Sequence, residues 1–171
     1  MNEAAWLEVD RRVSAKFRIA ENPGVLRNAA AIVAHSGDSW FWGIGLGIAW
    51  LLGNEFTKRW SVHLFAAIVV TALAVMAIKL LVRRERPEGE WGSIYRKNDP
   101  HSFPSGHAAR ALMLATLVPF IGPSALIAPL ILWAPLVSLA RVAMGLHYIS
   151  DVLAGGLLGF AIAIAWQIIF A

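Results

Sequence analysis

The chain has 171 residues, of which 58% are hydrophobic, with eight Trp, no Cys and a formal net charge of +4. This composition excludes an ordinary soluble domain, and the length leaves room for several membrane spans within one domain over residues 1–171. Disulfides and thiolate metal sites are excluded, and the positive charge is assigned to membrane surfaces and anionic lipid headgroups, with no nucleic-acid partner.

The first 36 residues predict helices that lie at the membrane interface. Residues 1–21 mix apolar and charged side chains, a pattern typical of an interfacial helix and not of a signal peptide. After a Pro-Gly break, residues 25–35 are apolar but too short to cross a bilayer. Residues 36–39 then predict a turn in which Asp38 or Ser39 caps the next helix.

Five apolar segments follow, and they predict an all-α polytopic membrane bundle of about five transmembrane helices over residues 38–171. The segments cover residues 40–52, 61–82, 104–121, 124–144 and 148–170, with a short polar turn at 53–59 and a polar loop at 83–103. Gly155 and Gly159 have the spacing of a helix-packing pair. Alternation of the spans puts the loop before His107, the turn around His147 and the N-terminal segment on one membrane face.

The third apolar segment begins with Pro104-Ser105-Gly106-His107. Pro is favoured at a helix start, and Ser105 and Gly106 leave backbone N–H groups approachable at the positive end of the helix dipole. Such an end can bind a phosphate, and His107 could transfer a proton there. By itself, the string also fits a capped helix start with an incidental histidine.

Ionisable residues gather near the span ends on the same face, where they are costly and usually mark function. They are Lys79, Arg86, Arg110, Arg141, His147 and Asp151. Lys79 and Arg86 are seven residues apart, which predicts two cations on one side of a helix that Pro87 ends directly after Arg86. Lys79 alone would also fit a side chain snorkelling to the interface.

A second group of ionisable residues is expected around Gly145, which allows a break that turns Arg141 and His147 toward each other. His147 and Asp151 are four residues apart, so a helix would place the carboxylate beside the imidazole. A carboxylate on one ring nitrogen fixes the tautomer and leaves the other nitrogen as base or nucleophile. A plain salt bridge at a helix start is the alternative interpretation.

Three cations, two histidines, one carboxylate and a bare helix N-terminus on one face suit a phosphoryl group. Three stretches of the chain, in this order and spacing, resemble the three-part signature of the type 2 phosphatidic acid phosphatase superfamily. They are Lys79 to Arg86-Pro87, then Pro104 to His107, then Arg141, His147 and Asp151. That superfamily includes bacterial lipid phosphate phosphatases and vanadium haloperoxidases. The resemblance covers residues 79–151.

The resemblance implies that His147 attacks phosphorus, that Asp151 holds its other nitrogen, and that His107 protonates the leaving oxygen and later activates water. The phosphate-binding groups would be Lys79, Arg86, Arg141 and the backbone N–H groups of Ser105 and Gly106. No metal and no cofactor are expected, because the cations supply the charge that Mg²⁺ provides elsewhere.

Two positions leave the expectation open. The family commonly has Ser before the third-motif arginine, whereas this chain has Ala140, which predicts reduced or altered phosphate contacts without loss of activity. Arg110, one turn after His107, is equally compatible with a headgroup contact and with a position at the interface.

The membrane setting indicates a lipid phosphate as substrate: phosphatidylglycerol phosphate, phosphatidic acid, or a polyprenyl phosphate or diphosphate. The excess of Lys and Arg on the active face, including Arg96 and Lys97, favours a cytoplasmic site in the cell membrane. The alternative function is a non-catalytic membrane protein that binds or transports phosphorylated lipids. A haloperoxidase is a third interpretation, but those relatives are soluble.

Overall fold

The computed structural model describes residues 3–89, 91 and 99–170. This part of the chain forms seven α-helices: α1 (Glu3–Lys16), α2 (Val25–His35), α3 (Ser39–Leu52), α4 (Glu55–Val82), α5 (Gly106–Ile121), α6 (Ile127–Ala143) and α7 (Ile149–Phe170). Apart from an isolated bridge between Glu85 and His101, no β-structure occurs in the described ranges. The predicted all-α bundle is confirmed.

Among the residues that the structure describes, three helical segments are long and apolar enough to cross a membrane: α4, Ser124–Ala143 and α7. The second consists of a 3₁₀ turn, Ser124–Leu126, followed by α6. The other two predicted spans, α3 and α5, are apolar but have only 14 and 16 residues. At the α-helical rise they are about 21 and 24 Å long, somewhat less than the hydrocarbon core of a bilayer.

Two helix starts differ from the sequence predictions. The polar turn expected at 53–59 is mostly helical, because Asn54 caps α4 and its side chain accepts a hydrogen bond from the Thr57 N–H at 2.9 Å. The helix expected to begin at Pro104 begins at Gly106, with Ser105 as its N-cap. His107 nevertheless lies in the first turn, as predicted.

Helix α5 lies at the centre of the bundle, packed against α4, α6 and α7. Its fully buried side chains, including Met113, Leu114 and Leu117, form much of the apolar core. Helix α7 packs especially close to it: a Cβ atom added at Gly159 would overlap the Ala109 carbonyl of α5, and one added at Gly155 would overlap the carbonyl of its N-cap, Ser105. The predicted glycine pair therefore permits this approach.

Helix α1 joins the bundle through polar contacts with the start of α7. The Ile149 N–H donates to Ser14 Oγ at 2.9 Å, and the Ser150 N–H donates to Asp10 Oδ1 at 3.3 Å. These are backbone donors of the first turn of α7, which have no partner within the helix itself. Apolar residues of α1 such as Trp6 are exposed, and the interfacial position of this helix stays a prediction.

Candidate active site

A cavity of about 240 Å³ collects most of the residues that the sequence singled out. Its polar lining consists of Ser39, Thr71, Lys79, Arg86, Asp99, His107, Arg110, Arg141 and His147, together with the backbone of Gly106. Apolar side chains of α4, among them Val75 and Met76, line it as well. Both histidines therefore border one space, as a pair that flanks a common phosphorus must.

Lys79 and Arg86 converge, but not along one helix as expected. Helix α4 ends at Val82, and its C-cap Arg83 adopts a left-handed conformation with φ of 50°. Arg86 lies beyond it, so the expectation that the helix continues to Pro87 is wrong. The two cations meet because both hydrogen-bond the carboxylate of Asp99, with Arg86 Nη2 at 2.7 Å from Oδ2.

Asp99 is a site residue that sequence reasoning missed. Besides its carboxylate contacts, its backbone carbonyl accepts a hydrogen bond from Arg86 Nε at 2.7 Å. Burial alone would raise the pKa of this carboxyl group, but hydrogen bonding to Lys79 and the charges of Lys79 and Arg86 hold the pKa below its ordinary value. Asp99 is therefore an anion inside the cation cluster.

The break between Arg141 and His147 occurs where the sequence predicted it. Helix α6 ends at Ala143, and Gly145 has a φ of +66°, which glycine adopts without strain. The N–H groups of Leu146 and His147 both turn back toward the Arg141 carbonyl, at 3.0 and 3.3 Å. The chain reverses tightly here, and both side chains reach the cavity.

His147 is almost fully buried, with 2% of its surface exposed. Burial, together with the positive charges of Arg86, Arg141 and Lys79, lowers the pKa of its imidazole well below the ordinary value. Its Nε2 lies 3.1 Å from Arg86 Nη1. Because a guanidinium can only donate, Nε2 is the acceptor and the ring proton is on Nδ1. The imidazole is thus neutral, with the lone pair of Nε2 on the cation side.

The expected pairing of His147 with Asp151 is close but is not a hydrogen bond. Nδ1 and Asp151 Oδ2 are 3.6 Å apart, beyond hydrogen-bond distance. Since α7 begins at Ile149, His147 precedes the helix, and Oδ2 accepts from the Tyr148 N–H at 2.9 Å. The Asp151 carboxylate therefore faces His147 Nδ1 at a distance longer than a hydrogen bond.

Arg84 is a second residue that sequence reasoning missed. Its Nη1 donates to Asp151 Oδ1 at 2.8 Å, and its Nη2 donates to Asp10 Oδ2 at 2.6 Å. The guanidinium also stacks over the Tyr148 ring, 4.0 Å from the centroid. Arg84 therefore neutralises the fully buried Asp151 and ties it to α1.

Ser105, at the start of α5, does not present its backbone N–H to the cavity as expected. The Ser105 N–H donates to the Asp151 carbonyl at 2.9 Å, and Ser105 Oγ accepts from the Ala108 N–H. Ser105 thus joins α5 to α7 and does not line the cavity, whereas Gly106 does. Of the two predicted backbone donors, only Gly106 is placed beside the cavity.

Two side chains from this helix reach the turn between α2 and α3. His107 Nε2 lies 2.7 Å from Asp38 Oδ1, and Arg110 Nη1 donates to the Gly37 carbonyl at 2.6 Å. Arg110 is buried and lines the cavity while it holds the turn, and the headgroup contact expected for it stays a prediction. Asp38 is a third missed residue.

Ala140, which replaces the usual Ser, does not line the cavity. It is buried in a small apolar cluster with Ala20, Ala34, Met144 and Leu146. The packing of the N-terminal segment therefore uses this position for apolar contact.

Within the described ranges, no three Asp, Glu or His side chains are grouped closely enough to hold a metal ion. Metal independence stays a prediction.

Comparison with known proteins finds relatives over most of the chain. The family model of the PAP2 superfamily matches residues 60–171, which include all three motifs. The decaprenylphosphoryl-5-phosphoribose phosphatase of Mycobacterium tuberculosis is 34% identical over 157 residues, covering 89% of this chain and 84% of the relative. The Mycolicibacterium smegmatis protein of the same name is 30% identical over 148 residues, covering 84% and 78%.

Two crystal structures share the fold. The PAP2 type phosphatidylglycerolphosphate phosphatase of Bacillus subtilis gives a TM-score of 0.77 at 22% identity, over 96% of this chain and 86% of that one. LpxE of Aquifex aeolicus gives 0.68 at 25% identity, over 90% and 93%. These findings confirm the predicted membrane fold and lipid phosphate phosphatase activity, and the chain belongs to the PAP2 superfamily.

Proposed function

We propose that this phosphatase hydrolyses a polyprenyl phosphate or diphosphate, without a metal ion, through a phosphohistidine on His147. One observation carries the mechanism: a single cavity is lined by His107, His147 and four cations, Lys79, Arg86, Arg110 and Arg141. The substrate class is supported by the two mycobacterial relatives, whose names specify a decaprenylphosphoryl substrate. Phosphatidic acid and phosphatidylglycerol phosphate are the other lipids to be compared.

The first step transfers the phosphoryl group to the enzyme. His147 Nε2 attacks phosphorus, so that the P–N bond forms while the bond from phosphorus to the leaving oxygen breaks. His107 gives its proton to that oxygen, and the released product is a lipid alcohol, or a lipid monophosphate if the substrate is a diphosphate. The Nδ1–H of His147 faces Asp151, which stabilises the positive charge that the ring acquires.

The second step returns the enzyme to its starting state. Water attacks the phosphohistidine, His107 accepts the proton of that water, and the P–N bond breaks to release inorganic phosphate. Lys79, Arg86 and Arg141 stabilise the charge on the non-bridging oxygens in both steps. Loss of one such preorganised contact typically lowers the rate by a factor of about 100 to 1,000.

A phosphate-release screen of the purified protein in detergent tests the proposal. The panel contains polyprenyl monophosphates and diphosphates, phosphatidic acid and phosphatidylglycerol phosphate, and the highest kcat/KM is expected for a polyprenyl substrate. His147→Ala and His107→Ala should each leave a folded protein with almost no activity. Near-normal turnover by either variant contradicts the assigned roles.

Two additions separate this chemistry from metal-dependent hydrolysis. EDTA should leave the activity unchanged, whereas vanadate should inhibit by mimicking pentacoordinate phosphorus. Complete inactivation by EDTA with recovery on adding Mg²⁺ contradicts the proposal. Lipid phosphate binding without any release supports the non-catalytic alternative.

A cytoplasmic orientation of the site is part of the same proposal, supported by basic residues on the active face such as Arg11 and Arg83. Arg96 and Lys97, which contribute to the predicted excess of basic residues, lie outside the described residues. Because the chain has no Cys, single-cysteine variants can report sidedness. Glu88→Cys on the active face should be shielded from an impermeant reagent in intact cells, and Glu55→Cys should be labelled. The reverse pattern places the site outside.

A further inference from the structure

The turn between α2 and α3 places a carboxylate against the proposed general acid. Asp38 is at the N-cap position of α3, as predicted, but its side chain makes no capping hydrogen bond. Its Oδ1 instead lies 2.7 Å from His107 Nε2. An N-cap carboxylate usually stabilises its helix by about 1 kcal/mol. Because the Asp38 side chain does not make this capping contact, its position indicates a different role.

Two further side chains orient the Asp38 carboxylate. Trp40 Nε1 donates to Oδ2 at 3.2 Å, and His35 Nδ1 lies 3.1 Å from the same oxygen. Burial would raise the pKa of Asp38, but hydrogen bonds with His107 and His35 hold it below its ordinary value. The group is therefore an anion at neutral pH, with one oxygen directed at His107 and the other held in place.

The turn itself is anchored to three helices. The Ser36 carbonyl accepts from Trp42 Nε1 at 3.1 Å, and Ser36 Oγ accepts from Trp133 Nε1 at 2.8 Å. The Arg110 guanidinium holds the Gly37 carbonyl. A Cβ atom at Gly37 would come within 3.1 Å of His107 Cδ2, so the backbone itself lies against the imidazole ring. These contacts therefore hold the turn that carries Asp38 in place.

These contacts determine which nitrogen of His107 can act on substrate. An ionised carboxylate only accepts hydrogen bonds, so Nε2 of His107 carries a proton in both the neutral and the charged ring. The proton that is given and taken back during turnover must then be on Nδ1. The carboxylate also stabilises the charged ring, in the way that a triad aspartate orients and stabilises its histidine.

We propose that Asp38 is a positioning residue, which holds His107 in the tautomer and orientation that let Nδ1 protonate the leaving oxygen and later deprotonate water. The inference rests on the proposed function of His107. Asp38 lies upstream of residues 60–171, the part of the chain that matches the family model, so the family signature does not assign this role.

Other charged groups face His107 as well. Arg110 is on the same helix, Arg141 comes from α6, and Lys79 of α4 lines the same cavity. All three are positive, whereas Asp38 is the carboxylate in contact with the ring. Removing its charge therefore disfavours the protonated ring, and the effect should be largest where the leaving group depends on a proton donor.

The test compares two substrates that differ in this dependence. Farnesyl phosphate has an alkoxide leaving group that needs a proton, whereas p-nitrophenyl phosphate releases a stable phenolate without one. The value of kcat/KM reports the step that forms the phosphohistidine. Asp38→Asn should lower kcat/KM for farnesyl phosphate by about 10- to 100-fold, which is part of the rate enhancement that a general acid contributes. For p-nitrophenyl phosphate the change should be less than about threefold, because that step gains little from general-acid catalysis.

A matched control separates positioning from helix capping. Asn54 occupies the same N-cap position in α4 at the other end of the bundle, and Asn54→Ala should lower thermal stability with both kcat/KM values unchanged. Equal losses for both substrates in Asp38→Asn, or no loss in either, overturn the inference. If Asp38→Asn does not fold, Trp40→Phe, which removes one hydrogen bond to the carboxylate, should shift the substrate ratio in the same direction, and an unchanged ratio overturns the inference.

The double variant Asp38→Asn/His107→Ala shows whether Asp38 acts through His107. We expect no loss beyond that of His107→Ala alone, because the two residues form one unit. An additional loss overturns the inference while leaving the role of His107 intact. If His107→Ala is as active as the wild type, the proposed function itself fails, and the positioning role fails with it.

Discussion

Asp99→Asn should strengthen the binding of phosphate analogues. The Asp99 carboxylate contacts Lys79 and Arg86, two of the cations that we propose bind the substrate phosphate. Substrate and side chain therefore compete for the same donors. The substitution keeps the size of the side chain and removes its charge, so the competition is weakened without opening a cavity.

The structure sets the size of the effect. A hydrogen bond between charged groups contributes about 1.5 to 3 kcal/mol. The Asp99 side chain is 38% exposed, so solvent screening moves the value to the lower end of that range, and the Asn amide retains a neutral contact. A difference of about 1.4 kcal/mol corresponds to a tenfold change in an equilibrium constant. We therefore expect the inhibition constant of vanadate to fall about tenfold.

The assay measures vanadate inhibition of phosphate release at two salt concentrations. Glu88→Gln is the matched control, because it removes one negative charge from the same face at an exposed position. It should change the inhibition constant less than twofold, and only at low salt, since exposed charges are screened. Weaker vanadate binding in Asp99→Asn, or an equal change in both variants, refutes direct competition.

Three further predictions concern stability in detergent, measured by thermal unfolding. Arg84→Ala should destabilise the protein by about 3 kcal/mol, because it leaves the fully buried Asp151 without its cation. Gly159→Ala should lower the melting temperature clearly, because the methyl group would overlap the α5 backbone, whereas Gly156→Ala, which meets only ordinary contacts, should not. Acidification should destabilise the protein, because folding lowers the pKa of carboxylates such as Asp10. Their contribution to the free energy of unfolding is present above the unfolded-state pKa of about 3.8, and it is lost as the pH falls through the folded-state pKa.

Each of these predictions has a contrary result. Unchanged stability of Arg84→Ala would show that Asp151 does not need the guanidinium. Similar melting temperatures for the Gly159 and Gly156 variants would show that α5 and α7 can separate freely. If Asp10→Asn has the same acid profile as the wild type, Asp10 contributes nothing to the acid transition.

The sequence predicted the bundle and most of the cavity because both depend on short-range patterns. Apolar runs of membrane length determine the helices, and each motif is confined to about a dozen residues. The reversal at Gly145 could also be predicted, since a single glycine allows it. The residues expected to bind phosphate include Lys79, Arg86 and Arg141, and the structure brings all three to one cavity.

What the sequence could not show depends on contacts between distant segments. Asp38 meets His107 across 69 positions of the chain, and Arg84 meets Asp151 across 67. Spacing along a helix carries no information about such pairs. An Asp before a helix is ordinarily expected to cap that helix with its side chain, and only the tertiary structure turns Asp38 toward a histidine instead. Likewise, the left-handed residue Arg83 ended α4 earlier than Pro87 suggested.

The hydrogen bonds between α1 and the start of α7 have a consequence for biosynthesis. Ser14 and Asp10 accept hydrogen bonds from residues 135 and 140 positions further along the chain. During translation, α1 is made well before α7, so these hydrogen bonds can form only after α7 has been synthesised. A ribosome-bound intermediate without α7 therefore lacks these hydrogen bonds, and it also lacks Asp151, which lies in the first turn of α7.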